Sequence, residues 1–381
     1  MSIGYNHVRA RIHVRAIADN FLEMNRRGGN CYGVVKSDAY GHGLAVVAEA
    51  LAGAGAKTLA VGTVEEAASL ANTTFTGRVV ALLGAQLPED YPLAVAHDVI
   101  CFCGRREQLR RLNEAAVLAR RKARVSLKFD TGMRRLGFLP EEASEVLELV
   151  QSLPNLEAIM VSSHLATADE PEQEAHVHEQ GARFKGVVDV LRAGGLEIEA
   201  NLCNSAALLA FPEYHFDGQR PGISLYGGNP FYGTSREELG CCLRPTMEVT
   251  SRIYQVHDLK AGEGINYGLT YRAERDMRVA IVGVGYADNY SRNLSSKGWM
   301  VVGDKRVPVV GRVCMQMTAV DVTDVADARA GDTVWLLGGN SPAAISACEL
   351  AEWWGTISYE VYCLMGMNPR EYLLDRDIQR G

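Results

Sequence analysis

From residue 31 the chain alternates short apolar runs with longer stretches in which apolar positions recur every three or four residues. The runs fall at CYGVVK (31–36), TLAVG (58–62), RVVALL (78–83), DVICFC (98–103), RVSLKF (124–129), LEAIMVSSH (156–164), LEIEANL (196–202) and, more briefly, YHFDGQ (214–219). Runs this short and continuous predict strands buried on both faces, as in a parallel sheet. Between them, GRREQLRRLNEAAVLARRKA (104–123) and EEASEVLELV (141–150) carry the repeat of a surface helix. Eight βα units in about 230 residues predict a (β/α)8 barrel of the TIM type, although eight parallel strands also fit an open doubly wound sheet.

After about residue 240 the helical rhythm stops. LRPTMEVTSRIYQV, MRVAIVGVGYA, VPVVGRV and DTVWLLGG follow, separated by Gly, Asp or Asn turns, and predict a mostly β domain. The expected fold class is therefore α/β, with a barrel over residues 1–240 and a β domain over 241–381. Glycine-rich phosphate motifs add little. GVGYAD (283–288) has Asp288 in place of the third glycine of GxGxxG, and GAGAKT (53–58) lacks the glycine that a P-loop needs before its lysine.

Composition removes several function classes. The 381 residues include 46 acidic and 39 basic side chains, a net charge of -7, without a dense Lys/Arg block, so no nucleic-acid partner is expected. The apolar runs fall well short of the ~18 residues that suggest a membrane span, so no membrane partner is expected either. Nine scattered cysteines without a bridging or C-x-x-C pattern fit a reduced, cytoplasmic protein.

In a (β/α)8 barrel the reactive groups stand where strands end and loops begin. Lys36 ends the first predicted strand, Lys128 the fifth and His164 the sixth; Asn204 and Ser205 follow the seventh, and Arg220 the eighth. Taken singly, a strand-end lysine more often reaches for solvent, and a strand-end histidine is more often a satisfied core residue. Ser205 and the backbone of RPGI (220–223), however, lie where barrels often hold a phosphate. A phosphate near a lysine suggests pyridoxal phosphate, whose aldehyde condenses with an amine and whose ring withdraws electrons from an amino-acid carbanion. His176 and His178 are two residues apart and cannot share a helix face, so no metal site is expected.

Nine segments carry a resemblance: VVKSDAYGHG, KFDTGMRRLGF, SSHLATADE, NSAALL, RPGISLYG, INYGLTY, VGYADNY, GRVCM and GTISYE, in that order from residue 34 to 360. They resemble the motifs of the alanine racemases. The resemblance implies an enzyme that interconverts L- and D-alanine on pyridoxal 5'-phosphate, with a barrel, a C-terminal β domain and a head-to-tail homodimer that shares its active sites. By position, Lys36 resembles the lysine that binds the cofactor, and Tyr267 the opposing base from the partner subunit. Tyr40, Ser205, Gly222, Ile223 and Tyr359 would contact the phosphate, with Asn204 beside them. Arg220 would face the pyridine nitrogen, and His164 would link it to Tyr267. Arg135 resembles the contact to the phenolic oxygen and the substrate carboxylate, Lys128 a position that is often carbamylated, and Met315 a substrate contact from the partner. Asp169, Tyr286, Arg292 and Arg312 resemble the substrate gate.

Two positions depart from the pattern. Asn201 stands where many members carry a histidine that braces the pyridine-side arginine, and Gln316 replaces an aspartate after Cys-Met. These departures touch rate and substrate range rather than reaction type. The alternatives are a broader amino-acid racemase of the same fold, acting for example on serine, and a non-catalytic pyridoxal-phosphate-binding protein. A fold-related decarboxylase lacks support, because its Cys-containing motif cannot be placed.

Overall fold

The computed structural model describes residues 7–339 and 341–374. The chain divides into two compact units. One comprises residues 17–39 and 44–244; the other combines the chain before residue 17, residues 40–43 and the chain from 245 onward. The first strand, β1 (Arg9–His13), lies in the second of these.

The first unit is built on seven parallel strands in sequence order: β2 (Gly33–Val34), β3 (Thr58–Val61), β4 (Arg78–Ala81), β5 (Ile100–Cys103), β6 (Ala123–Lys128), β7 (Leu156–Ser162) and β8 (Glu199–Asn201). Every residue of β3 and β5 is buried, which is why both read as uninterrupted apolar runs. Helices connect the strands; Arg106–Ala119, for example, buries Leu109, Leu112 and Ala116 at helical spacing.

The expected eighth strand is reduced to two parallel bridges, Gly218 against Asn201 and Gln219 against Cys31. They join the two edges of the sheet, so it closes into a barrel and the open doubly wound alternative falls. The ladder is short because Pro221 has no N–H to continue it, and because the Asp217 carboxylate takes the Ala200 N–H at 2.7 Å.

Directly after β2 the chain makes a left-handed turn, with φ of 56°, 53°, 54° and 53° at Ser37, Asp38, Ala39 and Tyr40. Left-handed backbone costs an L-residue about 1–2 kcal/mol, so a run of four must be held by its surroundings. Glu66 accepts the Ser37 N–H at 2.7 Å, Asp38 accepts the Leu44 N–H at 2.7 Å, and the Ala39 N–H reaches the Val35 carbonyl at 2.9 Å.

In the second unit β9 (Met247–Leu259) is the central strand. It is followed by β10 (Gly264–Ile265), β11 (Tyr271–Arg272), β12 (Met277–Val282), β13 (Trp299–Val302), β14 (Lys305–Pro308), β15 (Thr318–Asp321), β16 (Thr333–Leu337) and β17 (Arg370–Leu373). The path β14-β13-β16-β9-β1-β17 carries β12 and β15 as a branch from β9. β1 falls within residues 1–240, the stretch expected to form the barrel domain. It instead pairs antiparallel with β9, Arg9 opposite Thr250, and parallel with β17, Ala10 opposite Arg370. Leu259, Ile265, Met277, Val279 and Val310 form a core cluster under the β12 branch. Two helices, Ala347–Trp354 and Ser358–Met365, complete this unit. The first opens on a reciprocal Ser346–Glu349 capping box, legible in the sequence as S-x-x-E.

Candidate active site

In the barrel unit the reactive side chains gather at the C-terminal ends of the strands. Lys36 lies two residues beyond β2, Lys128 closes β6, His164 lies two residues beyond β7, and Ser205 and Arg220 follow β8 and the closing bridges.

Arg220 is 5% exposed. It donates to the carbonyls of Asn201 (2.9 Å), Ser163 (2.5 Å) and Leu202 (3.2 Å), and to Asn201 Oδ1. Burial lowers the guanidinium to about 10, which leaves it cationic at neutral pH. Behind it, Asn201 Oδ1 also accepts from the Ser162 hydroxyl at 2.8 Å, and Ser162 shares a 2.7 Å hydrogen bond with Ser126. Asn201 therefore braces the arginine as a histidine would, but with no group that titrates near neutrality.

Burial, followed by the charges of Arg220, Lys128, Arg135 and Lys36, holds the His164 imidazole well below its ordinary value. Burial and the nearby basic side chains thus keep this ring uncharged. Burial and then Arg220 push the Lys128 amine well below its usual range, which favours its uncharged form; Asp130 opposes this. The His164 shift has a thermodynamic consequence. The unfolded chain binds a proton here more readily than the folded one, so stability should fall as pH drops below about 6.5, the ordinary imidazole value. Urea midpoints at pH 7.5 and 5.5 should differ more for the wild type than for His164→Gln; equal differences would remove His164 as a source of the effect.

Asn204 follows β8 and precedes the helix that Ser205 begins. Its side chain caps the helix Ser205–Ala210 by accepting the Ala207 N–H at 3.0 Å. Ser205 Oγ accepts from the N–H groups of Gly222 (2.9 Å) and Ser224 (3.3 Å), so the Gly222 donor expected at the phosphate is already engaged. The Ser224 hydroxyl is buried without a partner. Arg135 is exposed on the loop after β6, whose backbone the Asp130 carboxylate gathers by accepting from Gly132 (2.9 Å), Arg134 (3.0 Å) and Arg135 (2.8 Å). These three backbone bonds draw the Asp130 carboxyl down against the opposing effect of burial, the largest single influence on it. Asp169 is exposed.

Two clefts of about 700 and 840 Å³ open in this same unit, both touching Arg78 and Arg124 at the N-terminal ends of β4 and β6. Arg78 pairs there with Glu199 and Arg124 with Asp98, and none of Lys36, Lys128, His164 and Arg220 lines either cleft. Size does not mark the reactive end.

In the other unit, Tyr40 is buried and its ring lies 5.9 Å from that of Tyr359, in the first turn of Ser358–Met365. Burial, and then Tyr359, push the Tyr40 phenol up. His42, fully buried, fixes this segment: its Nδ1 lies 3.0 Å from the Tyr40 carbonyl and its Nε2 2.8 Å from Thr246 Oγ1. The carbonyl can only accept, so Nδ1 carries the proton. Tyr267 is 73% exposed on a turn with φ of 61° at Asn266 and 75° at Gly268. Asn266 anchors that turn by donating to the Arg312 carbonyl at 3.1 Å. Met315, Tyr286 and Arg292 are exposed as well, and Arg312 is half-buried.

Glu66 and Asp130, which hold the turn after Lys36 and the loop bearing Arg135, were not among the expected site residues. The T-x-x-E of Thr63–Glu66 is a capping box legible in the sequence.

The same architecture appears in known proteins. Residues 12–230 match the family model described as alanine racemase, N-terminal domain, and residues 246–372 the one described as alanine racemase, C-terminal domain. An alanine racemase of Nitratidesulfovibrio vulgaris (strain DSM 19637 / Miyazaki F) is 49% identical over 98% of this chain and all of its own length. The crystal structure of alanine racemase from Streptomyces lavendulae, a D-cycloserine producer, has a TM-score of 0.90 at 32% identity and covers 99% of both chains. That of Bartonella henselae, described with covalently bound pyridoxal phosphate, has a TM-score of 0.86 at 26% identity over 96% of this chain and 99% of its own. A strand-end lysine, a buried cationic arginine and an uncharged imidazole on a closed barrel, together with matches along both units, make this chain a member of the alanine racemase family.

Proposed function

We propose that this alanine racemase uses pyridoxal 5'-phosphate held on Lys36, and that Lys36 and Tyr267 of a partner subunit are its two proton-transfer groups. The observation that carries the reading is the placement of Lys36, His164, Ser205 and the buried, cationic Arg220 together at the C-terminal ends of the barrel strands. Such a cluster suits a ligand bearing a phosphate and a carboxylate.

The donor set supports the cofactor. Lys36 offers an amine, Ser205 keeps a hydroxyl proton to donate, and Ser224 retains an unused buried hydroxyl. Ile223 would add its N–H, Gly222 would contribute only by sharing the N–H it gives Ser205, and Asn204 would act by holding the helix start that presents Ser205. Tyr40 and Tyr359 would supply phenols. When bound, pyridoxal phosphate withdraws electrons from the substrate's α-carbon and so acidifies its proton. The chain's own residues do the rest. Arg135 would hold the substrate carboxylate, Lys36 would carry a proton on one face of the α-carbon, and Tyr267 of the partner subunit would carry one on the other. Arg220 would face the ring nitrogen as a fixed cation that does not readily give up its proton. His164 would complete a link from Arg220 to that tyrosine.

The β unit exposes Tyr267, Leu269 at 50%, Met315 at 57% and Ile357 at 60%. Apolar exposure of this kind supports a homodimer in which each copy lends Tyr267 and Met315 to the other. All nine cysteines are free thiols, which supports a cytoplasmic location; among the described residues no helix is long and apolar enough to cross a membrane.

The test is direct. Protein purified with pyridoxal phosphate should show a visible absorption band and bring either alanine enantiomer to the racemate, followed by optical rotation. A band without loss of rotation would leave a binding protein, and a panel including serine defines the range. For Arg220, Arg220→Lys is the informative change. Lysine keeps the charge but has three N–H donors for four acceptors, and one unsatisfied buried acceptor should lower kcat about 10- to 100-fold. An unchanged kcat would contradict the role. Arg220→Glu would set a carboxylate against those carbonyls and confound folding with rate.

A further inference from the structure

Gln180 sits on the helix Glu174–Ala193, fully buried, and none of the chemistry above uses it. Its amide nitrogen donates to the His164 carbonyl at 3.0 Å and to Thr131 Oγ1 at 3.3 Å, and its amide oxygen accepts the Ala166 N–H at 2.9 Å. The His164 carbonyl can only accept and the Ala166 N–H can only donate, so one orientation of a carboxamide serves both. A carboxylate lacks the donor and an alkyl chain lacks everything.

The three bonds reach two loops at once. Thr131 begins the segment in which Asp130 gathers the N–H groups of Gly132, Arg134 and Arg135, and its hydroxyl also meets Ser163 at 2.8 Å. His164 and Ala166 belong to the loop after β7. Packing reinforces the junction, since a Cβ on Gly132 would lie 3.0 Å from Gln180 Cγ and 3.1 Å from the His176 ring. Arg183, one turn further along the same helix, donates to the Thr131 carbonyl at 3.0 Å.

We propose that Gln180 is a positioning residue that joins the loop presenting Arg135 to the backbone that orients His164. The kinetic side of this proposal rests on the racemase reading above. Loosening the Arg135 loop weakens the hold on the substrate carboxylate, which both enantiomers share. Displacing His164 disturbs the side served by Tyr267, which only one enantiomer uses for proton removal.

The experiment compares wild type, Gln180→Met and Thr131→Val, each loaded with pyridoxal phosphate. Gln180→Met should raise KM about fivefold for both enantiomers, cut α-deuterium loss from L-alanine at least about threefold more than from D-alanine, and speed exchange of the Arg134 and Arg135 amides about tenfold. Thr131→Val, which removes the Thr131 hydroxyl from Gln180 and Ser163 but keeps the bonds of Gln180 to His164 and Ala166, should raise KM and speed that exchange while changing the L/D ratio less than Gln180→Met does. A lower Tm for Gln180→Met with KM, L/D ratio and loop exchange at wild-type values would reduce Gln180 to packing and overturn the proposal. If Gln180→Met does not fold, Thr131→Val decides: wild-type KM and exchange there overturn it. The exchange measurement does not depend on racemisation. Loss of protection in a wild type that fails to racemise alanine would sink the functional reading and sustain this one.

Discussion

Borohydride reduction of the pyridoxal-phosphate-loaded protein should place the label on Lys36, and Lys36→Ala should lower racemisation at least about 10⁴-fold, the upper end for losing a single positioned proton-transfer group. The effect is expected to be this large because one side chain would serve twice, as the amine that holds the cofactor and as the proton carrier on one face. Its placement supports both uses. Lys36 follows the two-residue strand β2 and precedes the left-handed turn that Glu66 grips through the Ser37 N–H at 2.7 Å. A rigid strand behind and a held turn ahead fix the Cα from which the amine extends. Lys128 is the competitor, with its own amine pushed towards the uncharged form by burial. Peptide mapping separates them, and label on Lys128 or on no lysine would overturn the assignment.

Tyr267→Phe should abolish most α-deuterium loss from L-alanine, about 10²- to 10⁴-fold, while reducing that from D-alanine much less. The change removes one oxygen from a side chain that is 73% exposed in a single subunit, so stability should hardly move. Mixing Lys36→Ala with Tyr267→Phe protein under subunit exchange supplies the second half of the test. Each mixed dimer would have one site with both groups and one with neither, and random exchange would return up to about a quarter of wild-type activity. Proven heterodimers without recovery would put both bases in one chain or refute the two-base scheme. Equal losses from the two enantiomers in the single variant would likewise refute the division of labour.

How much of this was legible follows from particular residues. The barrel was legible because buried strands and surface helices write different periods, as β3, β5 and Arg106–Ala119 do. RARIH at 9–13 alternates as a strand should, yet its partners are Thr250 and Arg370, and no local pattern names a partner at that distance. The left-handed turn carries no glycine until Gly41, so the residues that take positive φ do not announce it. Lys36, His164 and Arg220 were visible as polar residues at strand ends. Tyr267, Tyr40 and Tyr359 came only from the register of the motifs, since an isolated loop tyrosine resembles any other. The helix cap made by Asn204 and the bond from Gly222 to Ser205 needed the hydrogen-bond pattern, because neither partner is adjacent in the sequence.

The pairing of Ala10 with Arg370 also sets an order on synthesis. A ribosome releases β1 before the barrel strands, but β1 cannot complete its sheet until β17 has emerged. The sequence needed for the barrel, whose parallel neighbours are consecutive, is available long before then. During translation the early segment therefore waits as an unpaired edge beside a barrel that can already fold, the kind of species that chaperones bind and that neighbouring chains can capture. Refolding from urea, where the whole chain is present, should still protect barrel amides before those of β1 and β17, because the barrel pairs consecutive strands and the β1–β17 pairing joins strands far apart in sequence.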